Sequence, residues 1–390
     1  MIIRNLREDE YTKSAKVISC AYSFKWEEQD EKKIFVPEYC FGAFEDDNET
    51  LMSVLYSVSL GARYFGEYIP CEGAGMIATL PMYRNRGCVR ALFNAAFERM
   101  KQNGEVFSYI FPFSYSYYRK FGYEHIGEKY LITFPMRALD SVKSFGKGFI
   151  MDSENSFEAV KDIYNRYTAN VECAFDRTQT MWDKKLTLSP YSCDLHTYIW
   201  QNDSGESKAY ATIRLENKLL NVLDMAYTDC EGLMGIVGFL KTFYGRALEV
   251  KFTNVTPASP LRYIIREYSD SNGELSSWAM ARVTDVKKAL ELAKYLQESG
   301  HFAVKVTDFL PWNNGIFDVS YGGGECDVTV RQEGDYDLAA DIPIMTRILL
   351  GCDSFTPLLL SYCGCEIKGD VSDIFRVFTK RECYLNDSAI

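Results

Sequence analysis

Several patterns are missing from this 390-residue chain, and each absence excludes a class of function. No run approaches the ~20 apolar residues of a membrane-spanning helix, so no membrane partner is expected. Twelve cysteines include no C-x-x-C pair, and only three histidines accompany them (His125, His196, His301). No metal site is therefore expected, and the thiols should be reduced and mostly buried. Neither G-x-x-x-x-G-K-[ST] nor G-x-G-x-x-G occurs, which removes the P-loop and dinucleotide-binding turns. Positive charge is in deficit: 43 Lys and Arg face 54 Asp and Glu, a formal net charge of −11. An acidic surface repels nucleic acid and suits a cationic small molecule, although solubility alone also accounts for it. The opening MIIRNLREDEY has charges at Arg4 and Arg7 and no signal-type apolar stretch, so a cytoplasmic protein is expected.

What is present is a soluble mixture of helix and strand signals. The length predicts two or three domains. In the first unit, 1–134, a short strand precedes an amphipathic helix over Asp9–Phe24. Alternating segments follow at 39–46, 51–66 and 73–80, then a helix from about Gly87 to Met100 with Cys88, Leu92, Phe93, Ala96 and Met100 on one face. The strand VFSYIFPF and a short helix ending at Gly122 complete it. The second unit, 135–280, repeats strands and then a helix, GLMGIVGFLKTFYG, in the same order. The third, 281–390, passes from a strand into a helix and continues with FAVKVTDF, GIFDVSY and CDVTVRQ, read as antiparallel strands. The fold class is α/β (α+β). The closing RECYLNDSAI is not tag-like, and Ile390 is expected to be a native carboxyl terminus.

The chemistry concentrates at LPMYRNRGCVRALF, Leu80–Phe93. A strand runs into a basic turn at the mouth of a helix. The first N–H groups of a helix lack intrahelical partners, and the helix dipole adds positive potential. Arg84 and Arg86 add full charges, and Gly87 lets the backbone approach an anion without a Cβ. The natural guest is a pyrophosphate.

Arg84-Asn85-Arg86-Gly87-Cys88-Val89 resembles motif A of the GCN5-related N-acetyltransferases (GNAT), R-x-x-G after a strand. With YYRKFGY at Tyr117–Tyr123 and RVTDVKKALE opening the last unit, the whole chain resembles the Eis (enhanced intracellular survival) acetyltransferases. Such proteins have two tandem GNAT folds, the second degenerate, and a sterol-carrier-protein-like domain. The resemblance implies acetyl-CoA as cosubstrate. Backbone contacts from Ile77, Ala78 and Thr79 would meet the pantetheine arm, and Arg84, Asn85, Arg86, Gly87 and Cys88 would meet the pyrophosphate. It implies Tyr118 as the general acid that protonates the leaving thiolate. It also implies the C-terminal carboxylate, here that of Ile390, as the base, acting through water. The acceptor is expected to be a cationic amine, aminoglycoside-like or polyamine, near Phe24, Trp26, Glu27, Glu28 and Asp387. A homo-oligomer, often a hexamer, belongs to the same resemblance. In the second unit Asp229 and Glu231 stand where the arginines would be, so that unit should not bind pyrophosphate. Two other readings stay open: a non-catalytic acyl-CoA or lipid-binding protein, and a protein lysine acetyltransferase.

Overall fold

The computed structural model describes residues 1–23, 35–265, 268–356, 360–361 and 363–387. The first unit contains β1 (Ile2–Asn5), α1 (Tyr11–Tyr22), β2 (Cys40–Phe44), β3 (Leu51–Tyr64), β4 (Glu67–Thr79), α2 (Cys88–Asn103), β5 (Phe107–Ile110), α3 (Tyr115–Arg119) and β6 (Glu124–Pro135). The second contains β7 (Lys147–Ile150), α4 (Glu154–Thr168), α5 (Gln179–Lys185), β8 (Leu195–Gln201), β9 (Ser207–Glu216), β10 (Leu219–Tyr227), α6 (Cys230–Leu240) and β11 (Glu249–Val255). Then come β12 (Asn272–Val283), α7 (Val286–Leu292), β13 (Gly300–Thr307), β14 (Gly315–Gly322), β15 (Glu325–Arg331), β16 (Leu338–Asp341), α8 (Ile342–Leu349), β17 (Glu366–Ile367) and α9 (Ser372–Val377). The α/β (α+β) expectation holds. Among the described residues no helix is long and apolar enough to cross a membrane.

The first two units share one sheet, in the order β1-β2-β3-β4-β5-β12-β6-β11-β10-β9-β8-β7. Each half has an antiparallel meander whose last strand pairs in parallel with the strand after its helix: β4 with β5, β10 with β11. The strands between the halves are exchanged. β6 leaves the first unit and pairs antiparallel with β11, and β12 returns to pair antiparallel with β5. β12 and β6 then pair with each other, Ala281 opposite Glu124. Cuts at 134 and 280 therefore fall within strands common to both halves. Periodicity marks strands well, but it cannot say which sheet position a strand takes.

The predicted face of α2 is the buried one: Cys88, Leu92, Phe93, Ala96 and Met100, joined by Phe97. Its C-terminus stops at Gly104, φ 72°, whose N–H reaches the carbonyls of Met100 and Lys101. In the C-terminal unit there is a second sheet, β15-β14-β13-β16-β17, and α8 packs both on its strands β13 and β16 and against β12 and β6. Leu310 and Trp312 of this unit join the cluster around α2 and Tyr118. The cysteines correct one expectation. All twelve are free thiols, but only Cys40, Cys71, Cys88, Cys173 and Cys383 are buried, and Cys20, Cys193, Cys230 and Cys363 are exposed. A count of residues carries no information about which side of an element each one takes.

Candidate active site

β4 is bent by a bulge. Val54 pairs with Ala78 and Tyr56 with Gly75, so three steps along β4 face two along β3. The left-handed residue within it is Met76, φ 44°, a conformation that costs a non-glycine residue about 1–3 kcal/mol. Bulges next to active sites re-aim a strand. Here β4 pairs with β5 only over Cys71–Ala74 and thereafter keeps β3 alone, which leaves the other edge of Ile77, Ala78 and Thr79 without a strand partner. The Tyr22 hydroxyl, from the end of α1, donates to the Ile77 carbonyl at 3.2 Å. Ser53 Oγ holds the far side, bonding the Ala78 carbonyl and Thr79 Oγ1 at 2.7 Å each.

The basic turn follows directly. Arg84, Asn85, Arg86 and Gly87 are all exposed. Asn85 (φ 64°) and Gly87 (φ 81°) both take left-handed conformations, and Gly87 is the N-cap of α2 with no side-chain capping bond. A Cβ built on Gly87 meets nothing within 4 Å, so the space in front of the helix mouth is open. Arg86 rests 5.0 Å from the Tyr83 ring and 3.6 Å from Glu45, a loose pair that an anion can displace. Cys88 itself is buried, and burial pushes its thiol up, so what it offers an anion is its backbone N–H. The residues present fit a pyrophosphate.

The second unit shows the contrast. β10 carries a comparable bulge between Val222 and Asp224. At the mouth of α6, however, Asp229 caps the helix by accepting from the Gly232 N–H at 2.8 Å. Lys208 pairs with Asp229 at 2.8 Å and with Glu231 at 2.6 Å. A Cβ on Gly232 would meet the Lys208 carbonyl at 2.5 Å. Carboxylates and backbone fill the place where the first unit is open and basic.

Tyr118 lies on α3, which Ser114 caps by accepting from the Tyr117 N–H. It is 3% exposed and ringed by Phe113 (5.4 Å), Tyr117 (5.2 Å), Tyr123 (6.2 Å) and Phe93 of α2 (6.5 Å). Burial first, then the neighbouring phenols Tyr22, Tyr117 and Tyr123, push its pKa above the ordinary phenol value. Tyr118 thus holds its proton throughout the neutral range. Beyond the end of β5, Phe111 packs edge-on against Trp278 of β12 at 5.5 Å, with Lys129 Nζ 4.3 Å above the indole. Neither residue stands out in sequence, because β12 arrives from far along the chain. Met76 and Tyr22 were equally hidden. A positive φ at methionine has no sequence signature, and Tyr22 reads as one more apolar position of α1.

The acceptor residues divide. Phe24, Trp26, Glu27 and Glu28 lie outside the described residues, as does Ile390. Asp387 is described, and it corrects an expectation. It is 3% exposed and pairs with Arg177 Nε at 3.0 Å and Lys185 Nζ at 3.2 Å. Arg177 also forks onto Asp224 at 2.7 and 3.0 Å, and Tyr210 and Asn386 complete that carboxylate's bonds. Two cations neutralise Asp387, which makes it an anchor of the chain's last segment rather than a free anion for an amine. The segment before it lies along β6: a Cβ on Gly127 would sit 3.1 Å from Leu385.

Residues 2–126 match the family model described as an acetyltransferase (GNAT) domain, and residues 286–385 match one described as a sterol carrier protein domain. No curated protein matches the chain. Solved structures share the whole fold. A probable N-acyltransferase of unknown function from Enterococcus faecalis V583 has a TM-score of 0.85 at 20% identity, covering 98% of each chain. Eis1 from Mycobacterium abscessus has 0.82 at 18%, covering 99% of each. A GCN5-related N-acetyltransferase from Anabaena variabilis ATCC 29413 has 0.82 at 17%, again covering 99% of each. The open basic turn after a bulged strand and the buried tyrosine beside it thus lie within a GNAT acetyltransferase domain, and the chain as a whole has an Eis-like fold that ends in a sterol carrier protein domain.

Proposed function

We propose that the protein transfers the acetyl group of acetyl-CoA directly to an amine of a cationic small molecule, aminoglycoside-like or polyamine. The observation that carries this reading is the first unit's site. An open helix mouth flanked by Arg84 and Arg86 follows the edge of β4 that β5 leaves unpaired, with a protonated Tyr118 nearby. The pyrophosphate sits on the turn and the pantetheine arm lies along Ile77–Thr79. The amine lone pair attacks the thioester carbonyl, a C–N bond forms, and N–H groups of β4 take the developing oxyanion charge. The C–S bond breaks and the thiolate takes the proton of Tyr118. The amine's extra proton leaves through water to the carboxylate of Ile390, the base implied by the resemblance. The cationic acceptor suits the net charge of −11. The acetyltransferase works in the cytoplasm, as a homo-oligomer of the hexameric kind.

Substitution of the turn tests the cosubstrate. Arg84→Ala and Arg86→Ala each remove a charge-assisted contact, so KM for acetyl-CoA rises by about tenfold while kcat changes little. Gly87→Val adds strain and a side chain in front of the helix mouth, and raises KM further. Initial-rate kinetics over acetyl-CoA concentration measures all three. An unchanged KM in all three variants removes the turn from the account.

The acceptor is tested by mass spectrometry of reactions with kanamycin-type aminoglycosides, spermidine and a lysine-containing peptide. The expected order of kcat/KM places polycationic small molecules above the peptide. A faster peptide would establish protein lysine acetylation instead. No acetylated product from any amine, with an apolar ligand retained by the purified protein, would favour the non-catalytic binding reading.

A further inference from the structure

Tyr118 sits on a helix of only five residues, too short to hold its own geometry, and two arginines close its C-terminal end. Arg90, on the exposed side of α2, donates through Nη2 to the Lys120 carbonyl at 2.8 Å. Arg282, on β12, donates through Nη1 to the Phe121 carbonyl at 2.6 Å. Consecutive carbonyls at the negative end of the helix are therefore taken by cations from two different elements, α2 and β12. The link to Tyr118 is short. The Phe121 N–H donates to the Tyr118 carbonyl at 2.9 Å, and the Tyr123 N–H to the same oxygen at 3.4 Å.

Arg282 is an unusual residue to find there. Its side chain is 0% exposed, between the rings of Phe97 (4.7 Å) and Phe309 (4.4 Å). Burying a guanidinium is costly unless it is paired, and its partner is Asp308, bonded to Nη2. Asp308 belongs to the C-terminal unit. It is fixed by the Phe309 N–H at 2.7 Å and by Asn313 Nδ2 at 2.9 Å, and its own N–H donates to Asn314 Oδ1 at 2.9 Å. Gly122, φ 82°, is what admits the guanidinium, since a Cβ there would collide with Nη1. The glycine that reads in sequence as a turn signal is thus also the gap through which the arginine reaches Phe121. Arg90 lies 5.3 Å from the same Phe309 ring and 5.1 Å from Phe121.

We propose that Arg282 and Arg90 are positioning residues that hold the Tyr118 helix in its productive place. Arg282 does so from a strand inserted into the acetyltransferase sheet, with the sterol-carrier unit supplying its counter-ion, Asp308. The clamp couples the C-terminal unit to the proton donor without contact to either substrate. It rests on the reading of Tyr118 as general acid.

The test is a double-mutant cycle in kcat on the full-length protein. Arg90→Met, at an exposed position, keeps the fold and lowers kcat several-fold, and Arg282→Met lowers it roughly ten- to hundredfold, the scale of a misplaced catalytic group. KM for acetyl-CoA stays within about twofold in both, because neither arginine belongs to the pyrophosphate turn. In a Tyr118→Phe background neither substitution lowers kcat further. Should Arg282→Met not accumulate as folded protein, Asp308→Asn and the Arg90→Met cycle carry the same test. Losses in kcat that multiply in the Tyr118→Phe background, or loss confined to thermal stability, would overturn the clamp. Tyr118→Phe with the wild-type rate would overturn the proton-donor reading, and the clamp with it.

Discussion

Tyr118→Phe lowers kcat by roughly 10²–10⁴-fold, the range of a general acid, and leaves KM for acetyl-CoA within about twofold. The ring packing survives, because phenylalanine keeps the contacts with Phe93, Phe113 and Tyr117 and loses only the hydroxyl. Without a proton donor the thiolate must depart as an anion into an apolar surrounding, which is costly. The pH profile carries the same information. An acid must be protonated to work, so kcat falls only as pH rises through its pKa. Burial has raised that pKa above the ordinary ~10 of a phenol, so the wild-type rate climbs as the acceptor amine deprotonates and shows no alkaline fall below about pH 10. A descending limb near pH 8 would assign the acid to another group. Rates measured from pH 6 to 10, on wild type and variant, decide both points.

Arg177→Met produces the largest loss of stability. The Arg177 side chain is 0% exposed and faces two carboxylates, Asp224 and Asp387, whose side chains are 1% and 2% exposed. Removing the shared cation leaves both buried, with Lys185 near Asp387 alone, and a broken buried pair of this kind costs about 3–5 kcal/mol. The guanidinium also stacks on Tyr164 (4.0 Å) and Trp182 (4.6 Å), contacts that methionine replaces only in part. Burial pushes the Asp224 carboxyl up, but Arg177 and Lys185 outweigh it and hold it below the usual carboxylate range. Its stabilisation is therefore full above the unfolded value near ~3.9 and is lost as pH falls through the lower native one. Denaturant unfolding at pH 7 measures the loss, and unfolding at pH 3–5 should show a shallower acid dependence in the variant. Because Asp387 anchors the last described residues, Arg177→Met also lowers turnover, although it lies in the second unit and not beside the pyrophosphate turn. Unchanged stability would mean that the network is not formed in solution.

The first unit was readable because its signals are local. The helix face from Cys88 to Met100 follows a 3.6-residue period, and the turn before it advertises itself by Arg84, Arg86 and Gly87. The failed site of the second unit was readable for the same reason, since Asp229 and Glu231 stand at the mouth of its helix. What the sequence could not convey is non-local. β6 and β12 are ordinary alternating strands, and nothing in them states that they cross between the halves. Arg282 reads as a strand residue followed by a helix start, and its partner at Phe121 lies 161 residues away. Asp387 looks like a free carboxylate near a chain end until the fold brings Arg177 to it across 210 residues. Met76 offers no signal at all, because its left-handed backbone is imposed by the pairing of β3 with β4.

The most direct test of the central claim is mass spectrometry of a spermidine reaction with acetyl-CoA, recording both the amine and the intact protein, for wild type and Tyr118→Phe. Direct transfer predicts acetylated amine from the wild type, a rate lower by the factor above in the variant, and no acetyl group left on the protein. An acetylated protein that passes its group to the amine, or equal rates in the two proteins, would contradict it.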